Sequence, residues 1–125
     1  MHSKKIENVL SMSVADRYNY FIRTVVNFEE LWGVYDNGWA SLGGVDKIVL
    51  PFWPEMEFAA LCCTGEWKNY KPTSISLDDF IQKWIPGMIR DNRLVNIFYI
   101  PNSSEGSLIE PALLLEYLTE EMEQY

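Results

Sequence analysis

The apolar residues of this chain change their spacing several times along its length, and that alternation limits the folds open to it. Val14, Tyr18, Phe21, Ile22, Val25 and Val26 recur every three or four residues, which predicts an amphipathic helix over roughly residues 14–27. Ser13 stands where a capping hydroxyl belongs, and Asp16 lies in the first turn, where the helix dipole favours an acid. A shorter helical turn carrying Ile6, Val9 and Leu10 precedes it. The period then falls to two. The runs 31–35 and 39–42 bracket Asp36, Asn37 and Gly38, a pattern that predicts a β-hairpin. A two-residue turn would mix Trp32 and Val34 with Asp36, Trp39 and Ser41. A three-residue loop with Gly38 left-handed gathers Trp32, Val34, Ala40 and Leu42 on one face, and that separation is the better one. It leaves Tyr35 and Trp39 side by side on the other face.

The later segments alternate between the two periods. A strand is predicted over residues 47–52, ended by Pro51 and Pro54, followed by a helix with Glu55 and Glu57 in its first turn. Phe58, Leu61 and Cys62 form that helix's expected buried stripe, and Gly65 its C-cap. A short strand at 73–75 leads to Ser76 and Asp79, a second capping pair. Phe80, Ile81, Trp84 and Ile85 follow on a helix that Pro86 is expected to break, leaving 87–93 as a turn or short helix. The nearly continuous apolar run 94–100 reads as a strand covered on both faces. A polar loop at 102–106 precedes a short strand at 108–109. Pro111 then opens a last helix with Leu114, Leu115, Leu118 and Met122 inward. The expected architecture is a single α+β domain spanning 1–125. Its mixed, mainly antiparallel sheet has about five strands, starts with a β-hairpin meander and is flanked by four or five helices. At 125 residues and 48% hydrophobic composition, the chain has the means to bury a core.

Charge and residue types narrow the function. The formal charge is −8, and from Pro101 onward there are glutamates but no Lys or Arg. Phosphate neutralisation needs clustered cations, so no nucleic acid is expected as a partner, and an anionic membrane would be repelled. A basic protein is electrostatically compatible, although solubility alone accounts for the acidity. Cys62 and Cys63 are adjacent and cannot staple a fold. The first dozen residues lack the apolar core of a signal peptide, and no run is long enough to span a bilayer, so a cytoplasmic location is expected.

The only histidine is His2, which leaves the body of the chain without a Ser-His-Asp or Cys-His pair, or a histidine metal site. Lysine or carboxylate chemistry stays open. The cysteine pair lacks CxxC spacing and reads as small buried hydrophobes. Asp78 and Asp79 read as helix N-terminal acids, and the seven glycines form no phosphate-cradling motif. Neither cofactor nor metal is expected.

Several short motifs resemble one family in their order along the chain. They are Ala15-Asp16-Arg17-Tyr18 with Tyr20-Phe21, Trp32-Gly33-Val34-Tyr35-Asp36, Leu50-Pro51-Phe52-Trp53-Pro54, Gly65-Glu66-Trp67, Ser76-Leu77-Asp78-Asp79-Phe80 and Trp84-Ile85-Pro86-Gly87-Met88. Together they resemble the small bacterial family called domain of unknown function 2750, which implies a bacterial, cytoplasmic, single-domain protein. The resemblance brings no activity, substrate or catalytic residue.

The tryptophans carry what functional signal remains. Trp32 and Trp84 fit core positions, whereas Trp39, Trp53 and Trp67 fall at a turn, a proline-flanked strand end and a post-helix loop. With Tyr35 and Tyr70 they are either satellites of the core or a candidate binding patch, Tyr35, Trp39, Trp53, Trp67 and Tyr70, bordered by Lys68 and Lys71. The expected function is a non-enzymatic protein-binding module, with an immunity-like role as one version. The alternative is a small-molecule-binding or carboxylate-dependent hydrolytic domain with an aromatic-lined pocket. A homodimer through the hairpin edge is compatible with either.

Overall fold

The structure is a computed structural model, and it describes residues 3–43, 47–100 and 106–124. His2 and most of the expected 102–106 loop lie outside those residues. The helices are α1 (Ser3–Leu10), α2 (Val14–Phe28), α3 (Met56–Leu61), α4 (Leu77–Asp79), α5 (Ile85–Arg90) and α6 (Pro111–Met122). The strands are β1 (Glu30–Tyr35), β2 (Val49–Phe52), β3 (Lys71–Ser76), β4 (Leu94–Ile97) and β5 (Ser107–Ile109). The class is α+β, as the alternating periods require. No described helix is long and apolar enough to cross a membrane.

The capping chemistry forms where the sequence puts it. Ser13 Oγ accepts from the Asp16 backbone N–H at 3.1 Å, and Ser76 Oγ from Asp79 at the same distance. Each contact satisfies one of the N–H groups a helix start leaves open and is worth about 1 kcal/mol. Behind the first cap, α2 buries Phe21, Ile22, Val25 and Val26. Leu114 and Leu118 of α6 are fully buried in the same core. In α3 the stripe differs from expectation. Phe58 and Cys62 are buried as expected, Cys62 as the C-cap, but Leu61 is 40% exposed and Ala59 is buried instead. Gly65 is left-handed at φ 57, but it opens a 3₁₀ turn, Gly65–Trp67, instead of closing α3.

The five strands form two sheets where one was expected. β1 pairs antiparallel with β3 from Glu30↔Ser76 to Tyr35↔Lys71. β2 pairs parallel with β4, and β4 pairs antiparallel with β5. A single bridge joins the sheets: Trp32 and Trp53 exchange N–H···O bonds of 2.9 and 2.8 Å. That bridge also explains why the hairpin meander does not develop. It occupies the edge of β1 that a full second arm would need, so 39–42 contributes only bridges at Trp39 and Leu42. The three-residue loop is present, with Tyr35 opposite Trp39 and Ala40 N–H bonded to the Val34 carbonyl at 3.0 Å. Its left-handed residue is Asn37 (φ 57), not Gly38, because a short amide side chain tolerates that region.

Pro86 does not break its helix. A π-helical segment, Phe80–Trp84, runs straight into α5, and the Ile85 N–H bonds the Phe80 carbonyl. The wider turn accommodates a ring that would clash with the carbonyl four residues back in a regular helix. β4 stops at Ile97, earlier than the apolar run suggests. Phe98 turns left-handed at φ 64 and is held there by burial and by an N–H bond to the Phe52 carbonyl at 3.0 Å. A bulky residue in that region costs about 1–2 kcal/mol, so its packing offsets a strained turn.

Candidate functional site

Phe52 and Trp53 are consecutive on an extended segment, so their side chains leave opposite faces. This alternation divides the aromatic residues into two groups. On the Phe52 side, Tyr35 and Trp39 meet at 5.1 Å between ring centroids, Trp39 and Trp84 at 4.9 Å, and Trp84 and Phe52 at 5.6 Å, all near-perpendicular. On the Trp53 side, Trp53 and Trp67 meet edge-on at 6.3 Å, and Trp67 also lies 6.3 Å from Tyr70 and 6.2 Å from Tyr99. The five residues of the expected patch therefore do not share one surface. Trp53 cannot belong to an exposed patch at all: it is 0% exposed, and its indole N–H donates to the Tyr99 carbonyl at 2.7 Å.

The first group forms a ledge. Tyr35 is 43% exposed, and Trp39 and Trp84 are half-buried. Trp39 lies against the backbone of Gly33, where an added Cβ would come within 3.0 Å of two of its ring carbons. Gly33 thus makes room for the ring, and Tyr35 and Trp84 flank it. Beside the ledge runs an open groove of about 340 Å³ lined by Leu50, Lys83, Trp84, Gly87, Met88, Asp91 and Arg93. Lys83 pairs with Asp79 at 3.5 Å, and Arg90 with Asp91 at 3.2 Å. The hydrogen bond from Arg90 holds the Asp91 carboxyl below its usual range. Sequence reasoning placed Trp84 in the core and missed its part in this surface.

The second group forms a cup. Its cavity of about 320 Å³ is lined by Ser41, Leu42, Gly43, Cys62, Thr64, Glu66, Trp67 and Tyr99. Tyr99 reaches it from just past the end of β4, and Leu42 reaches it from its bridge to Val49 at the start of β2. The Cys62 thiol points to the Tyr99 carbonyl at 3.5 Å. Burial, reinforced by neighbouring Cys63, pushes it up to about 12, so it is a neutral thiol at pH 7 and no nucleophile. Cys63 is pushed up by burial as well and contacts the Ala59 carbonyl at 3.6 Å. Tyr70 packs on Trp67 without lining the cavity.

Other polar groups serve the scaffold. The Tyr20 hydroxyl hydrogen-bonds Glu55, which Lys5 approaches at 3.6 Å, so one carboxylate ties α1 and α2 to the start of α3. Burial and then the Glu55 contact raise Tyr20 above the usual phenol range. Tyr18 meets Tyr117 edge-on at 5.9 Å and is pushed by burial to about 12. Arg17, 5% exposed, donates to the Met12 carbonyl at 2.9 Å, and its guanidinium carbon stands 6.0 Å from the Phe98 ring centre. The sequence held a signal for this residue: Arg17 lies on the apolar face of α2, between Val14 and Phe21. Among the described residues, no three His, Cys, Asp or Glu side chains gather into a metal-binding group.

The profile of a family described as "Protein of unknown function (DUF2750)" matches residues 18–118. A comparison with curated proteins finds no match.

Proposed function

The chain belongs to the DUF2750 family, which carries no assigned activity, and from its surfaces we propose a non-enzymatic protein-binding module of the bacterial cytoplasm. The observation that carries this reading is the fixed position of Trp39, set against Gly33 and between Tyr35 and Trp84 at the lip of an open groove. Half-exposed aromatics that are already immobilised lose little freedom on binding, and Trp and Tyr are the residues that most often anchor protein interfaces. The groove adds apolar depth through Leu50 and Met88. Its lining sets Lys83 and Arg93 against Asp91, a local cationic excess on a chain of formal charge −8. The partner that fits is a protein segment with apolar side chains bordered by carboxylates. An immunity-like role is one form such a module takes.

The test is affinity capture of the tagged protein from its native cells, with Trp39→Ala and Lys83→Glu variants in parallel, each first checked for folding. One protein enriched by the wild type and depleted at least tenfold by both variants is the expected result. A partner retained equally by both variants would place recognition elsewhere and overturn this reading.

A further inference from the structure

We propose that the cup is a second binding site, separate from the ledge, and that it takes an organic ammonium group. Its lining combines two aromatic residues, Trp67 and Tyr99, with Glu66, Ser41 and Thr64, and among the described residues it contains no Lys or Arg. Ring faces carry negative quadrupole charge, so they attract a cation held over them and repel an anion. A single carboxylate beside the rings supplies the counter-charge. No described residue of the lining neutralises an anionic ligand.

The rings are braced. Trp67 abuts the buried Trp53 edge-on at 6.3 Å, and the Trp53 indole is tied to the Tyr99 carbonyl at 2.7 Å. The aromatic walls are thus connected through a core residue and stand in place before a ligand arrives, which keeps the ordering cost low. At about 320 Å³ the cavity lies at the small end of ligand sites, suited to a compact amine or to the terminal ammonium of a longer chain. Two sources present that chemistry, a free quaternary or primary amine and a lysine side chain of another protein.

The experiment is a titration of the full chain followed by the indole N–H resonances of its tryptophans. The probes are choline, its neutral isostere 3,3-dimethylbutan-1-ol, N-acetyl-lysine methylamide and glucose. Choline or the lysine amide is expected to shift the Trp67 resonance saturably, with the neutral isostere at least about tenfold weaker. Tighter choline binding assigns the site to free amines, and tighter lysine-amide binding assigns it to a protein side chain. Glu66 is exposed, so Glu66→Gln leaves the fold intact and should weaken the cation several-fold without changing the isostere. Read by calorimetry, Trp67→Leu should abolish saturable binding of the cation, and Trp39→Ala should leave it unchanged. Equal affinity for choline and its isostere, tighter binding of glucose, or no saturable shift with either cation would overturn the proposal.

Discussion

Trp39 rests against the space that a Gly33 side chain would fill, with part of its ring in solvent, whereas Trp53 exposes no surface and gives its indole N–H to Tyr99. Both were expected on one binding patch, and both sit beside other aromatic rings. The difference lies in what surrounds them. Around Trp39 the neighbours are a glycine backbone and two half-open rings, which leave a face for a partner. Around Trp53 the neighbours close over it, and the ring braces Trp67 and the Tyr99 backbone from within. Aromatic content therefore marks a surface only when the backbone beneath it keeps one side clear.

The largest test of this contrast is truncation of each ring. Trp53→Ala should cost about 3–5 kcal/mol, the usual penalty for emptying a buried aromatic site, while Trp39→Ala should cost clearly less. Urea unfolding of both variants measures the gap, and equal losses would erase the distinction between ledge and cup. Next in size is Gly33→Ala. The new methyl would press on the Trp39 ring at 3.0 Å, and a cost of about 1 kcal/mol is expected together with a displaced indole resonance for Trp39 but not for Trp67.

A third test separates the two regions by pH. The Cys62 thiol rises from its usual 9.0 to about 12 in the folded protein, so folding favours the protonated form. Its contribution is fully present below pH 9 and is lost as the pH climbs through about 12. Tyr18, raised from 10.0 to about 12, works in the same direction. Stability should decline above pH 9, and Cys62→Ala should make that decline shallower. A variant with an unchanged alkaline profile would remove the thiol from the account. The smallest effect belongs to Gly38→Ala, the residue immediately before Trp39. Open space surrounds that position and its backbone is not left-handed, so a change within about 0.5 kcal/mol is expected and the Trp39 resonance should stay fixed.

What was legible in the sequence was local. Ser13 with Asp16 and Ser76 with Asp79 cap helices through contacts three residues apart, and spacing alone reveals them. Tyr35 opposite Trp39 follows from the loop length. The rest depended on distant partners. Nothing near Trp53 announces that the Tyr99 carbonyl will receive its N–H, and its flanking prolines suggest a surface turn instead. The split sheet was hidden because the bridge between Trp32 and Trp53 displaces the hairpin arm that local pairing favours. Pro86 misled for a related reason: a rule for regular helices does not anticipate the wider π-helical turn that lets the chain continue. Of the candidate site, the aromatic members could be named, but their division into two groups required knowing which face each ring takes.

The ladders that build the two sheets also set how the chain must fold. Tyr35 finds Lys71 and Glu30 finds Ser76, while Val49 finds Leu94, so each pairing waits on closure of a long intervening segment. Only β4 and β5, joined through Val95↔Ile109, pair across a modest stretch. With the early hairpin reduced to a single bridge, no compact strand unit is available to start the process near the N-terminal half. Pairings of such wide sequence separation slow the search for the transition state, so refolding slower than that of a helical bundle of this size is expected. Until those long loops close, Phe52 and Trp53 lack their native partners, which makes the segment around them the one most in need of protection during synthesis.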